Sequence, residues 1–251
     1  KDYVFATDTL KEIRGASARL DKLNRQIMAR RVKQHDPSGE KIYAHGGAGL
    51  FVVETNCAND ACLAVERAYR THSGGAASVT GATVDIPDRF DVERSNVQDL
   101  FKLLQHRMRQ YKDRPKSVIG ATSLPHLRPC DACGESSAEV SVKEYGGIIF
   151  LCQACQLRRG SQRGLWEKLK KRGSLSGFLP EDFSDLGKLS RPTGYIGLLY
   201  ADGNGMGREI ENRATLPQIT QFAVGVDNAV HEATIDAIRA HLQPINGTVP
   251  C

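Results

Sequence analysis

Tyr195-Ile-Gly-Leu-Leu-Tyr-Ala-Asp-Gly-Asn-Gly-Met-Gly207 is a short apolar run that ends on one acid, Asp202, and turns through three glycines into a helical sequence. The pattern predicts a buried strand that lifts a single carboxylate to its C-terminal edge. Gly203, Gly205 and Gly207 then let backbone N–H groups approach a phosphate at the start of a helix, where negative charge is favoured. An acid beside a glycine cradle suits a metal-bound nucleoside triphosphate. An ordinary strand–turn–helix with a solvated aspartate has the same pattern, and the spacing by itself leaves both readings open.

Downstream, Ile219, Phe222, Val226, Val230, Ala233 and Ala237 predict one long helix. Upstream lie two cysteine pairs, Cys130-Asp-Ala-Cys133 and Cys152-Gln-Ala-Cys155, separated by eighteen residues. Two thiolates two residues apart on a knuckle turn can bind one tetrahedral ion, and the gap suits a small hairpin that brings the pairs together. Glu139-Val-Ser-Val and Ile148-Ile-Phe-Leu supply its strands, with Gly146-Gly147 as the turn. Four thiolates fill the coordination shell, so the expected zinc site is closed and structural. A redox CxxC pair is the competing reading, and nothing around these cysteines has a redox setting. Cys57, Cys62 and Cys251 are read as reduced thiols, with Cys62 packed on a helix as a small hydrophobe.

At the N-terminal side, Tyr3-Val-Phe-Ala-Thr predicts a strand, and Ile13, Ala16, Leu20, Leu23 and Ile27 an amphipathic helix over 10–30. Lys41-Ile-Tyr-Ala-His-Gly-Gly-Ala-Gly-Leu-Phe-Val-Val-Glu54 reads as a hairpin around a glycine turn. Ala61, Val65, Ala68 and Tyr69 share a helix face, a strand follows over Ala77–Ile86, and Val97, Leu100, Leu104, Met108 and Tyr111 mark another helix. This order predicts a mainly antiparallel sheet with helices on one face. Tyr3-Val-Phe-Ala-Thr-Asp8 and Tyr195–Asp202 both put an acid at a strand end before an amphipathic helix, a weak internal repeat. The chain divides into a unit over 1–120, an insert with linker over 121–191, and a second unit over 192–251.

At 251 residues the chain can bury one good core, or two small ones plus an insert. A composition of 40% hydrophobic and 25% charged residues belongs to a folded protein. No apolar run approaches ~20 residues and the first residues carry no signal-peptide pattern, so no membrane contact and a cytoplasmic location are expected. The net charge of +5 is unevenly spread. Segments 102–116 and 158–172 hold 13 of the 34 basic residues with only Asp113 and Glu167 as acids, leaving 21 basic against 27 acidic elsewhere. Two basic islands on an acidic body fit contact with a polyanion, and solvated helix faces give the same pattern.

Taken together, Tyr3-Val-Phe, Glu12-Ile-Arg-Gly-Ala-Ser17, Leu20-Asp-Lys-Leu-Asn24, Ile42-Tyr-Ala-His-Gly-Gly47, the four cysteines and Ala201-Asp-Gly-Asn-Gly-Met-Gly207 resemble the large subunit of type III CRISPR effector complexes. The resemblance implies an α+β chain with two ferredoxin-like palm (polymerase/cyclase) domains, the second incomplete, separated by a four-cysteine zinc-binding insert. It also implies synthesis of cyclic oligoadenylate messengers from ATP in antiviral defence, by two-metal nucleotidyl transfer triggered by RNA (guide or target) among other effector-complex subunits. In such palms a strand-end Asp and a Gly-Gly-Asp-Asp hairpin hold two divalent metals, Mg²⁺ or Mn²⁺, that activate a ribose 3′-hydroxyl and stabilise the α-phosphate it attacks. Asp202 corresponds to the strand-end acid, and Asn204 stands where many members have a second Asp. The first hairpin turn, Gly46-Gly47-Ala48-Gly49, has no carboxylates, so the first palm is expected to bind an acceptor nucleotide. Arg14, Gly15 and Ser17 are its candidate phosphate or ribose contacts, with helix entry and surface charge as the plainer account. The second palm's Gly-Gly-Asp-Asp hairpin does not occur in these 251 residues, and His35-Asp36 is not expected to bind metal. The expectation is a portion of a longer nucleotidyltransferase. The alternative is a non-catalytic zinc-ribbon and palm scaffold that binds RNA or protein partners.

Overall fold

A computed structural model describes residues 3–87, 90–113, 126–144, 146–175, 177, 179–197 and 205–241. It is a mixed α+β structure in which helices dominate and each of two sheets has two strands.

Helix α1 (Leu10–Lys22) runs through a π-helical segment (Leu23–Met28) into α2 (Ala29–His35). The period of Ile13, Ala16, Leu20, Leu23 and Ile27 thus produces one long helix, wider than an α-helix at its middle. Leu23, Ile27, Met28 and Val32 are buried on it against Val65, Ala68 and Tyr69 of α3 (Thr55–Ser73). Buried Asn24, in the π-helical turn, accepts a hydrogen bond from the Tyr69 hydroxyl. Between these helices lies the predicted hairpin, β1 (Glu40–His45) paired antiparallel with β2 (Ala48–Val52). Gly46 and Gly47 make its turn at φ +63° and +85°, a conformation that favours glycine.

The register slips between Lys41 and Tyr43, leaving Ile42 as a bulge. Ile42 and Tyr43 consequently join one cluster, with Leu216 and Ile219 of the long C-terminal helix, while Ala44 joins the cluster under α1 and α3. The hairpin is covered on both faces, not on one as the sequence pattern predicts. That helix, α9 (Leu216–His241), buries Leu216, Ile219, Ala223, Ile235 and Ile238. Of the predicted positions, Ile219 faces the core, whereas Val230, Ala233 and Ala237 are exposed.

Two predicted strands are not strands. Residues 3–6 form turns and bends, with Tyr3 buried against Ala16 and Ala77. Residues 77–86 form no ladder with a strand among the described residues, and side chains take some of their backbone groups. The Ala77 N–H donates to Ser73 Oγ at 2.8 Å and the Gly81 N–H to Glu66 Oε1 at 2.9 Å. Cys62 packs against this segment at Gly81, as expected of a small apolar side chain, and burial pushes its thiol up. Helix α4 (Gln98–Asp113) buries no residue, and its apolar side borders a cleft of about 1070 Å³ shared with β2 and α3.

In the 121–191 segment the expected second hairpin forms, β3 (Val140–Glu144) with β4 (Gly147–Leu151). Three short helices follow: α5 (Gln153–Arg159), α6 (Gly164–Gly173) and α7 (Phe183–Lys188). α5 and α6 lie on α1, where Gly15, Ala16 and Ala18 are buried. Past them, residues 195–197 are exposed and not in a strand; Leu198 to Asn204, which include Asp202 and Gly203, lie outside the described residues, as does Cys251. A six-residue helix, α8 (Met206–Glu211), precedes α9.

Candidate metal centre

The hairpin β3–β4 brings the two cysteine pairs together. Cys130 and Cys133 sit on the loop before β3, Cys152 directly after β4, and Cys155 within α5. Their four sulfurs lie within 4.8 Å of one another, and Cys133 Sγ stands 3.9 Å from Cys152 Sγ. A tetrahedral ion with metal–sulfur bonds of about 2.3 Å needs sulfurs roughly 3.8 Å apart. These four cysteines can therefore hold a metal ion such as zinc, with no side chain to spare for an open coordination position.

Local backbone bonds fix the knuckle. The Gly134 N–H donates to the Cys130 carbonyl at 2.9 Å, and the Cys130 N–H to the Ser136 carbonyl at 2.8 Å. Asp131 ties this loop to β4 twice. Its N–H donates to the Phe150 carbonyl at 2.8 Å, and its Oδ2 accepts from the Phe150 N–H at 2.7 Å. The latter bond, aided by Arg128, holds the Asp131 carboxyl below the usual carboxylate range. Arg128 stacks its guanidinium over the Phe150 ring at 3.7 Å.

Three of the sulfur residues, Cys130, Cys152 and Cys155, are buried. The Cys155 thiol hydrogen bond, followed by the Cys155 N–H and the Cys130 and Cys133 thiols, holds Cys152 down at about 5. The same hydrogen bond and burial push Cys155 up, and burial pushes Cys133 up. Four sulfurs this close cannot all ionise unless a cation neutralises them, which is the electrostatic condition of a metal site.

The cluster is joined to α1 through Arg158 and Arg159, one turn beyond Cys155 on α5. Arg158 is 3% exposed, and its Nη1 donates to Cys155 Sγ at 3.6 Å. The same guanidinium lies 4.5 Å from the Tyr3 ring centroid. Arg159 Nε donates to Glu12 Oε1 at 2.6 Å, with Glu12 fully buried, and Arg159 Nη1 reaches Glu144 at 2.7 Å. None of these four charged residues stands out by spacing. The signal that could have marked the two arginines is a charged pair, Arg158-Arg159, one helical turn after a ligand cysteine.

The other candidate residues are scattered over different elements. Arg14 donates through Nη1 to the Pro180 carbonyl at 2.7 Å, so it faces the insert. Gly15 is packed so tightly on α5 that an added β-carbon would meet the Arg158 carbonyl oxygen at 1.7 Å. Ser17 is half-buried on α1. Gly46 and Gly47 form the open tip of the β1–β2 hairpin, with nothing near the position of a β-carbon. Gly205 has φ +71° and precedes α8, and Gly207 is exposed in its first turn. Asp202, Gly203 and Asn204 lie outside the described residues.

The second basic island is largely engaged inside the molecule. Besides Arg158 and Arg159, Lys168 pairs with Asp21, Lys170 with Glu167, and Arg172 donates to Asn228 at 3.1 Å. In the first island, Lys102 pairs with Asp99 and Arg107 donates to the Thr83 carbonyl at 2.6 Å. Among the described residues no helix is long and apolar enough to cross a membrane. No protein-family model matches the chain, and no curated protein matches it.

Proposed function

We propose that the four cysteines bind zinc as a closed structural site, and that this site braces a nucleotide-binding palm unit of a nucleotidyl cyclase like the CRISPR type III large subunit. The carrying observation is an order of elements. A long helix, a hairpin with a Gly46-Gly47 tip and a second helix (α1–α2, β1–β2, α3) repeat the helix–hairpin–helix centre of a ferredoxin-like palm. The cleft of about 1070 Å³ beside that hairpin supports the reading. Its Leu50, Val52 and Leu104 offer an apolar floor for a base, and Arg109 and Lys112 offer cations for phosphates. In this reading the first unit holds an acceptor ATP, and Asp202 with Mg²⁺ or Mn²⁺ serves the reacting one, with Gly203, Asn204, Gly205 and Gly207 at its phosphates. Cyclic oligoadenylate is the product and RNA the activator, within an assembly of effector subunits.

Labelled ATP incubated with Mn²⁺, candidate RNA activators and the natural protein that bears this chain tests the assignment. Cyclic oligoadenylate should form, and Asp202→Ala should abolish it with zinc content unchanged. Undiminished product from Asp202→Ala would refute the metal role of that acid.

One observation favours a second reading, a scaffold without catalysis. The hairpin tip that bears carboxylates in catalytic palms is here Gly46-Gly47-Ala48. RNA or protein binding by the same protein, with no ATP bound in an equilibrium assay, would establish that reading instead.

A further inference from the structure

We propose that Arg158 is a positioning residue through which the metal at the four cysteines controls the docking of the insert on α1. The inference rests on the metal reading of those cysteines and goes beyond it, because a closed structural site need only fold its own loops.

A dication bound by four thiolates leaves the cluster with a net charge of about −2, and such a charge inside a protein requires a compensating cation. Arg158 is the cation that meets it, through Nη1 to Cys155 Sγ at 3.6 Å. At 3% exposure its guanidinium has little water, and among the described residues no carboxylate pairs with it. Its Nε is buried without a hydrogen-bond partner there. The remaining support is the face of the Tyr3 ring, 4.5 Å away. A sulfur bound to a metal in a tetrathiolate of net negative charge accepts the Arg158 hydrogen bond more strongly than the same sulfur without the metal, so the metal strengthens this contact.

The backbone of the same residue forms the contact with α1. The Arg158 carbonyl lies against Gly15 so closely that no side chain fits between them. Arg159, its neighbour, takes the fully buried Glu12. Arg19 of α1 donates to the Leu157 carbonyl at 3.2 Å and to Ser161 Oγ at 2.9 Å. A metal that holds the Arg158 side chain therefore holds the turn that carries the closest part of the α1–α5 contact. Loss of metal weakens the hold of Cys155 on that side chain and favours its exit to water, which moves α5 off α1.

The experiment uses the 251-residue chain purified with zinc, and its metal content is measured first. Absence of metal refutes the site reading itself, separately from this inference. With metal present, zinc transfer to a chromogenic chelator is timed for the parent, Arg158→Met and Arg158→Lys. Outer-shell partners alter metal affinity by roughly 10–100-fold, so release from Arg158→Met should be about tenfold faster or more. Arg158→Lys, which keeps the charge, should recover part of the difference. In the cobalt-substituted proteins the sulfur-to-cobalt charge-transfer band should shift for Arg158→Met and return towards the parent for Arg158→Lys. Hydrogen exchange of the parent with and without metal provides a readout that survives a variant's failure to fold. Chelation should raise exchange in residues 12–20 of α1 together with 152–160. Unchanged release and an unshifted band in a folded Arg158→Met, or protection lost from the insert with α1 unaffected, would overturn the proposal.

Discussion

Glu12 and Arg159 form an ion pair from which water is excluded on the carboxylate side: Arg159 Nε meets Glu12 Oε1 at 2.6 Å, and Glu12 has no exposed surface. Its second oxygen, Oε2, is buried without a hydrogen-bond partner among the described residues. Breaking a buried pair by removing one partner leaves an unpaired charge and costs about 3–5 kcal/mol, whereas replacing both with apolar groups can be neutral. Glu12→Gln should therefore destabilise the chain by about 3 kcal/mol, and Glu12→Met with Arg159→Leu should recover most of the loss. Urea unfolding of the two single variants and the pair measures this directly. Equal losses that simply add would show that the two side chains do not act together.

Among the described glycines, the one with least room for a β-carbon sits one turn further along α1. A β-carbon at Gly15 would lie 1.7 Å from the Arg158 carbonyl oxygen, and both partners are main chain, so no side chain can rotate away. Gly15→Ala would gain about 1 kcal/mol of helix propensity in an exposed helix. Here the overlap should outweigh that gain, for a net loss of about 2 kcal/mol. A thermal midpoint that rises in Gly15→Ala would mean that α1 and α5 are further apart than described.

Metal removal should unfold the insert. Four clustered thiols without a cation repel ionisation and leave β3–β4 and α5 joined by a small core of Leu151, Ala154 and the cysteines themselves. Elemental analysis should find about one zinc per chain. Cys155→Ser should lose it under mild chelation, with increased proteolysis between residues 126 and 160. Retention of zinc by Cys155→Ser would remove that residue from the ligand set.

Arg25 joins Asp227 of α9 through Nη1 to Oδ2 at 2.8 Å, and it also pairs with Asp21. Arg25 holds the Asp227 carboxyl below the usual range, and Asp227 first, then Asp21, holds the guanidinium above its own. The carboxyl titrates lower when folded than when unfolded. Its stabilisation is thus complete above the unfolded value of about 3.9 and fades as pH falls through the folded one. Unfolding free energies between pH 2 and 7 should show about 1 kcal/mol of acid-sensitive stability that Asp227→Asn lacks. An identical pH dependence in the two proteins would refute the pair's contribution.

Short-range periodicity and turn chemistry carried the reading of the helices and both hairpins. Gly46-Gly47 and Gly146-Gly147 mark turns by their backbone freedom, and apolar residues at helical spacing predict α3 and the long α1–α2 run. The proximity of the four cysteines was legible because C-x2-C pairs dictate a knuckle whatever surrounds them. Residues 3–7 and 77–86 are not strands because β-type side chains specify a strand only where a neighbouring strand takes their backbone: Ser73 and Glu66 take Ala77 and Gly81 instead, and Tyr3 packs as a side chain against Ala16 and Ala77. Ile219, Phe222, Val226, Val230, Ala233 and Ala237 mark α9 by their spacing, yet Val230, Ala233 and Ala237 are exposed because the long helix buries residues against partners at two ends, the hairpin near Ile219 and Trp166 near Ile238. Net charge over 158–172 overstated the available cations, because local sums cannot register acids such as Glu12 and Asp21 that return from far along the chain.

The Glu12–Arg159 pair spans 147 residues of sequence, and that separation has a meaning during synthesis. A ribosome adding about 5–20 residues per second leaves Glu12 without its cation for roughly seven to thirty seconds. Once α3 has emerged, α1 can close on it and on the β1–β2 hairpin, yet its Glu12 carboxylate and Gly15 patch still lack their partners from α5. The nascent first unit is thus an open half-interface, and the arrival of the cysteine segment with its metal is the event that closes it.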